Sequence, residues 1–143
     1  TALPIYRLDF RQQVNRAKAN YVACLANDTL FDAIYIQYCI TNNLPVISSL
    51  AEDRLEREIK LDKFSTEHPD KFNRIFNNKD NKLIAQIEML IARGELNRLQ
   101  YNQNITTADG ELIGANMKEA VAWFKNPANA SVVNAYLNRL NNI

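Results

Sequence analysis

The sequence predicts a mainly α-helical protein of six to seven helices with one small two-stranded antiparallel hairpin, and a C-terminal half that is winged-helix-like. Two observations predict this fold class. Apolar residues recur every three or four positions over most of the chain, which is typical of amphipathic helices. Residues that end helices or make turns, among them Pro45, Gly94 and the pair Asp109-Gly110, interrupt that pattern. The 143 residues, 47% of them hydrophobic, are enough for a buried core.

The sequence predicts three segments. Residues 1–8 are expected to form an extended N-terminal arm, because Pro4 disfavours the helical conformation for the residue before it. Residues 9–64 are expected to form a helical N-terminal half. Residues 65–143 are expected to form a helix–hairpin–helix half that packs with the first half as one compact unit.

Two helices are predicted in the first forty residues. The first begins at Asp9 and ends near Ala26. Its apolar stripe consists of Phe10, Val14, Ala17, Tyr21 and Leu25. The second begins at Asn27 or Asp28, either of which can cap it, and ends near Thr41. Because its run LFDAIYIQYCI is apolar almost all round, we expect it to be a central buried helix.

A third helix is predicted from about Ser49 to Phe64. Ser49 is followed three residues later by Glu52, which is the capping-box pattern. The apolar face of this helix is expected to consist of Leu55, Ile59 and Leu61. The charges in EDRLEREIKLDK alternate in sign. We therefore interpret them as a salt-bridged surface and not as a catalytic or metal-binding cluster.

The C-terminal half is predicted to begin with two further helices. The first is short and has Pro69 in its first turn, a position that proline favours. The second starts at Asn78 or Asp80. Gly94 is placed to close it as the residue just beyond the helix end, where glycine readily adopts the left-handed conformation.

The remaining chain is predicted to form a hairpin and two last helices. Residues 96–101 alternate as in a strand, the polar loop NQNITTA comes next, and Asp109-Gly110 turns into a short return strand over residues 111–114. Asn116 then caps a helix, with Glu119 three residues later. A final helix is predicted over about residues 129–142.

The residue types that carry catalysis argue against an enzyme. Cys24 and Cys39 lie in apolar runs and form no C-x-x-C pair, which is typical of buried free thiols. His68 is the one histidine of the chain, so a zinc site would lack ligands and a catalytic thiol would have to depend on this single base. Glycine-rich phosphate loops, dinucleotide fingerprints and metalloprotease motifs are absent from the sequence. We predict no catalytic residue, metal or cofactor.

Protein–protein contact is the predicted mode of action. The apolar N-terminal arm has no helix of its own to pack with, and basic residues lie beside the stripe of the first helix. The residues expected to contact other protein subunits are Leu3, Ile5, Tyr6, Arg7, Arg11 and Lys18. The alternative interpretation of the basic residues is a solvated flank whose aliphatic stems cover the edge of the core.

A nucleic-acid-binding or host-interacting regulator is the second hypothesis. A helix followed by a two-stranded wing is the outline of a winged-helix module, in which Lys82, Gln86 and Arg93 would face the major groove. The same helix also carries Glu88, and a net charge of +1 gives no general affinity for polyanions. These observations favour a structural protein over a regulator.

Between about residues 65 and 140 the chain resembles a type of small phage protein. The similar order is HPDKF, a helix ending in ARGEL, a strand and turn, and the run IGANMKEAVAWFKNPANASVV. The resemblance implies a phage-encoded protein, associated with the virion, and it implies no catalytic residues. A structural role as a capsid auxiliary, connector or tail part fits that resemblance. The sequence has neither a signal-peptide pattern nor an apolar run long enough for a bilayer, so we expect a location in the virion or host cytoplasm and no membrane partner.

Overall fold

The protein is mainly helical with a small antiparallel sheet, which confirms the predicted class. The structure, a computed structural model, describes residues 4–141, with side chains from residue 9 onward. The described residues form eight α-helices, where six to seven were predicted, and three strands, where two were predicted. They divide into two compact units, of which the first ends at Asn81 and the second begins at Lys82.

The N-terminal unit is helical throughout its described part. Its helices are α1 (Pro4–Leu25), α2 (Asp28–Thr41), α3 (Val46–Leu50), α4 (Arg54–Glu67) and α5 (Pro69–Phe76). The segment boundary predicted between residues 64 and 65 lies inside α4. The short helix that begins at Pro69 therefore belongs to the first unit and not to the second.

The C-terminal unit contains the sheet between helices. Its helices are α6 (Asn81–Ala92, beginning at the last residue of the first unit), α7 (Met117–Lys125) and α8 (Ala130–Asn141). Its strands are β1 (Leu96–Arg98), β2 (Ile105–Thr107) and β3 (Leu112–Gly114), and a 3₁₀ turn covers Pro127–Asn129.

The start of α1 differs from the predicted extended arm. The backbone of residues 4–8 is helical, so the prediction is wrong for these residues. Proline is compatible with the first turn of a helix, because its missing N–H would have no partner there and its fixed φ suits the helix. Leu3 and the two residues before it lie outside the described residues.

The predicted third helix is two helices, and its predicted capping box is wrong. The Ser49 N–H donates to the Pro45 carbonyl oxygen at 3.1 Å, so Ser49 lies inside α3 and does not cap a helix that starts after it. The Glu52 carboxylate instead accepts hydrogen bonds from Lys60 Nζ at 2.6 and 2.8 Å. The local sequence is compatible with a cap at Ser49. The chain has already entered α3 at that point, however, because Pro45 is the N-cap of this helix four residues earlier.

Three predicted helix ends are confirmed. The Asn27 side chain accepts from the Leu30 N–H at 3.1 Å, and the Asn116 side chain accepts from the Glu119 N–H at 2.9 Å. Gly94 has φ +80° and lies just beyond α6 as predicted. Its N–H donates to the Ile91 carbonyl at 3.0 Å, and the next N–H donates to the Leu90 carbonyl at 2.9 Å, which is the Schellman arrangement.

The core of the N-terminal unit surrounds α2, as predicted. Phe31, Ile34 and Tyr35 of this helix have no exposed surface, and Leu61 of α4 and Phe72 of α5 are equally buried. The burial of such large side chains is the main stabilising contribution in a unit of this size.

The sheet is a three-stranded meander in the order β1-β2-β3, and its middle strand lies where a polar loop was predicted. Ile105, Thr106 and Thr107 are all buried in β2. The Thr106 hydroxyl donates to the Thr107 carbonyl at 3.0 Å, and the Thr107 hydroxyl accepts from the Glu111 N–H at 3.1 Å. Because their hydroxyls are satisfied locally, two polar β-branched residues fit a buried strand.

The core of the C-terminal unit lies among α6, the sheet, α7 and α8. The buried residues of this core are Ile87, Leu90, Leu96, Ile105, Ile113, Ala120, Val121, Phe124, Val133 and Tyr136. The predicted turn at Asp109-Gly110 is confirmed, and it joins β2 to β3 with Gly110 at φ +90°. The Gly110 N–H donates to the Thr107 carbonyl at 3.0 Å, which closes the turn.

Candidate functional site

Only part of the predicted contact set can be located by its side chains. Leu3 lies outside the described residues, and of Ile5, Tyr6 and Arg7 only the helical backbone of α1 is described. Arg11 and Lys18 are both exposed on α1.

One face of α1 carries both basic residues and an exposed apolar side chain. Lys18 lies seven positions after Arg11 and Val22 lies four after Lys18, so all three occupy the same face of the helix. The exposed fraction of Val22 is 64%.

Helix α4 carries a pair of exposed apolar side chains. Leu55 and Ile59 are one turn apart and therefore adjacent on the helix surface. Their exposed fractions are 67% and 52%, so the prediction that both face the core is wrong. Leu61 of the same predicted set is fully buried. Exposed aliphatic residues that occur singly need no explanation, whereas neighbouring ones mark a contact surface.

These two exposed groups border the same helix pair. The Tyr21 hydroxyl donates to the Glu58 carbonyl at 2.9 Å, so this side of α1 meets α4. The other side of α1 meets α5, where the Asn73 side chain donates to the Gln13 carbonyl at 3.0 Å and accepts from the Asn20 amide at 2.9 Å. On the helical wheel of α1, Lys18 lies about 60° and Val22 about 100° from Tyr21, whereas both lie about 160° from Asn20. They therefore lie on the side of α1 that faces away from α5.

We define the α1–α4 face as the surface made of Arg11, Lys18, Val22, Leu55 and Ile59. Leu55 lies one turn before Glu58 on α4, and Ile59 and Val22 directly follow Glu58 and Tyr21 in sequence. The apolar members of the face therefore come from the two helices that the Tyr21–Glu58 hydrogen bond joins. The basic members continue the surface along α1.

The charged residues near this face are largely paired within the chain, as predicted from their alternation. Arg54 contacts Asp28 at 2.8 Å and Glu58 at 3.3 Å, and its guanidinium lies 3.9 Å from the centroid of the Phe31 ring. Arg57 contacts Asp32 at 3.0 Å. These contacts organise α2 and α4 and leave no activated carboxylate cluster among them. The prediction of a salt-bridged surface is confirmed.

The two thiols are buried and are not poised for catalysis. Cys24 and Cys39 are free and have no exposed surface, as predicted. Burial raises the pKa of the Cys24 thiol to about 11. Burial also raises the pKa of the Cys39 thiol, against a smaller opposing effect of its hydrogen bond with Ser49. A catalytic cysteine needs a lowered pKa and access to substrate, and neither thiol has these properties.

We expect Cys24 to react with iodoacetamide about a hundredfold more slowly at pH 8 than free cysteine, and Cys39 also to react more slowly, because only the thiolate reacts and burial raises the pKa of both thiols. Mass spectrometry after timed labelling measures the rate. In urea both thiols should react fully. Fast labelling of the folded protein would contradict the buried positions.

The helix proposed for the major groove places its three residues in different environments. Lys82 is exposed, Gln86 is half-buried, and the Arg93 guanidinium donates to the Leu140 carbonyl at 3.5 Å. Glu88 of the same helix is buried and forms a two-bonded ion pair with Arg98 of β1, one contact of which is 3.2 Å. Sequence reasoning missed this pair, since residues ten positions apart meet only through the fold.

The described part of the chain contains neither a metal-binding cluster nor a membrane-spanning helix. Between residues 4 and 141, His, Cys, Asp and Glu side chains nowhere gather in a group of three that could hold a metal ion. None of the helices described is both long and apolar enough to cross a bilayer.

Comparison with known proteins adds no family assignment. No family model matches the chain, no curated protein is significantly similar to it, and no solved structure matches its fold significantly.

Proposed function

We propose that the chain is a non-enzymatic structural protein that acts in an assembly through protein–protein contacts, as a capsid auxiliary, connector or tail part of a phage particle. The observation that carries the contact role is the exposure of Val22, Leu55 and Ile59 on α1 and α4, the two helices that the hydrogen bond from Tyr21 to Glu58 joins. Resemblance to small phage proteins supports the particle role.

The chemistry of the face indicates what a partner subunit would present. Its apolar side chains would form the water-excluded centre of an interface, and Arg11 and Lys18 would form a basic rim. A matching subunit would present aliphatic side chains with carboxylates beside them. Leu3, Ile5, Tyr6 and Arg7 remain part of the proposed contact set on the strength of the sequence.

Replacing Leu55 or Ile59 with serine is expected to weaken association about tenfold each, because burying an aliphatic side chain contributes roughly 1.5–3 kcal/mol and part of that surface is already covered. Sedimentation velocity over a hundredfold range of concentration measures self-association. Co-sedimentation with purified particles measures binding to other subunits.

Leu112→Ser is the matched control, since Leu112 is 55% exposed on β3 of the other unit. It should leave association unchanged. If the serine substitutions at Leu55, Ile59 and Leu112 weaken association equally, the α1–α4 face is not the contact surface. Circular dichroism spectra should be the same for each variant, because all three side chains are exposed.

Mass spectrometry of purified particles tests the location. Presence at many copies supports the particle role. Absence would contradict the particle role but would leave the proposal of a contact face untested by this experiment and still open to the association measurements.

A titration with duplex DNA at several salt concentrations distinguishes the regulator hypothesis from the structural one. Salt-sensitive binding that is weakened in Lys82→Gln would favour the regulator over the structural protein.

A further inference from the structure

The N-terminal unit contains a cleft of about 390 Å³ that the α1–α4 face does not use. One wall is the end of α2 and the turn after it, with Tyr38, Asn42 and Leu44. The opposite wall is the last two turns of α4. A cleft of this size is in the range that holds small organic ligands.

The cleft combines an aromatic floor with basic side chains. The rings of Tyr38 and Phe64 meet edge to face with centroids 5.1 Å apart, and the His68 ring lies 5.8 Å from that of Phe64. Lys60, Lys63, Phe64 and Glu67 occur at spacings of three and four, so they share one face of α4.

Lys63 is the cation available to a ligand. Lys60 is held by both oxygens of Glu52 at 2.6 and 2.8 Å. Among the described residues Lys63 has no ion-pair partner, and Glu67 one turn away does not reach it. An unpaired ammonium beside aromatic rings favours an anion with an apolar body.

The carbonyl groups at the end of α2 do not compete with a ligand for the ammonium of Lys63, because most of them already accept hydrogen bonds within the chain. The Asn42 N–H and side-chain amide both donate to the Tyr38 backbone carbonyl, at 3.1 and 2.9 Å, and the Leu44 N–H donates to the Cys39 carbonyl at 2.8 Å. The Asn43 N–H donates to the Ile40 carbonyl at 3.2 Å. The carbonyls of Tyr38, Cys39 and Ile40 therefore already accept hydrogen bonds from the turn that follows the helix.

We propose that this cleft binds a small organic acid, whose ring or aliphatic body lies against Tyr38 and Phe64 and whose carboxylate pairs with the ammonium of Lys63. The site is independent of the proposed assembly role. Binding would also bridge the end of α2 and the end of α4, and would stabilise the unit in proportion to ligand concentration.

The chain provides a direct reporter, because His68 is its one histidine and lies in the cleft wall. Its imidazole proton signals are therefore single and identifiable by NMR. On titration of the full chain with 2-naphthoate, the ring current should shift these signals until they saturate. 2-Naphthylmethanol, which has the same ring system and no charge, should bind more weakly.

Charge variants at the cleft make the test specific. Lys63→Gln should weaken naphthoate binding roughly threefold to fivefold, the effect of losing one exposed ion pair, whereas Glu67→Gln should tighten it by removing a repelling carboxylate. Lys79→Gln, in the turn after α5 and outside the lining of the cleft, is the control and should leave naphthoate binding unchanged. Unshifted His68 signals at saturating naphthoate, or equal binding by the wild type and Lys63→Gln, would overturn the proposal.

Discussion

Replacing Arg98 with methionine is expected to lower the free energy of unfolding of the C-terminal unit by about 2–4 kcal/mol. The change leaves the carboxylate of Glu88, which is only 4% exposed, without its partner in a poorly solvated place. Loss of one member of a buried pair usually costs about 3–5 kcal/mol, and the 30% exposure of Arg98 reduces that figure because water can replace part of the interaction.

Urea unfolding followed by tryptophan fluorescence measures this effect, since Trp123 is the one tryptophan and packs against the core of this unit. Arg139→Met is the matched control. Its ion pair with Glu95, at 2.7 Å, has side chains 55% and 36% exposed, so its loss should cost at most about 1 kcal/mol.

A double variant separates the effect of the unpaired Glu88 carboxylate from other effects of losing Arg98. Glu88→Met combined with Arg98→Met replaces two charges by apolar side chains of comparable length, so most of the lost stability should return. If the double variant is no more stable than Arg98→Met alone, packing of the arginine stem and not the unpaired carboxylate explains the loss.

The parts of the fold that are predictable from sequence are those determined within one or two helical turns. Asn27 and Asn116 cap helices because their side chains reach N–H groups three residues later. Gly94 and Gly110 mark their turns because only a left-handed backbone fits there. Such features need no knowledge of the rest of the chain.

The sequence-based predictions are wrong where tertiary packing determines the secondary structure or the burial of a residue. The sequence pattern predicts a loop at strand β2 because Thr106 and Thr107 are polar, although the run of β-branched residues is itself a strand signal. The same pattern predicts that Leu55 and Ile59 are in the core because they are apolar. The neighbours of α4 cover its other side, where Leu61 and Phe64 are buried.

The candidate sites show the same division. Arg11 and Lys18 are identifiable from sequence and are exposed as a contact residue must be. The exposed apolar residues of α4 join the same face only because α1 packs on α4, which the hydrogen bond from Tyr21 to Glu58 reveals and no local pattern predicts. The cleft around Lys63 likewise joins two helices that are separate in the sequence.

Gly114→Ala is the second substitution with a large expected effect, again in the C-terminal unit. A Cβ atom at Gly114 would lie 2.5 Å from the backbone nitrogen of Ala120 and 2.9 Å from the carbonyl carbon of Glu119. These are backbone atoms of α7, so no side-chain rotation can relieve the contact. Strand β3 and α7 must separate, at a cost of about 1–3 kcal/mol in the free energy of unfolding.

Gly94→Ala separates this steric cause from a conformational one. Gly94 has φ +80° and open space around its Cβ position, whereas Gly114 is not among the residues with positive φ. Alanine at Gly94 should therefore cost only about 1 kcal/mol, through backbone strain. Ala115→Ser, at an exposed neighbouring position, should change stability by no more than about 0.5 kcal/mol. Urea unfolding monitored by Trp123 ranks the three variants. If Gly114→Ala is as stable as Ala115→Ser, then β3 does not approach α7 as closely as these distances require.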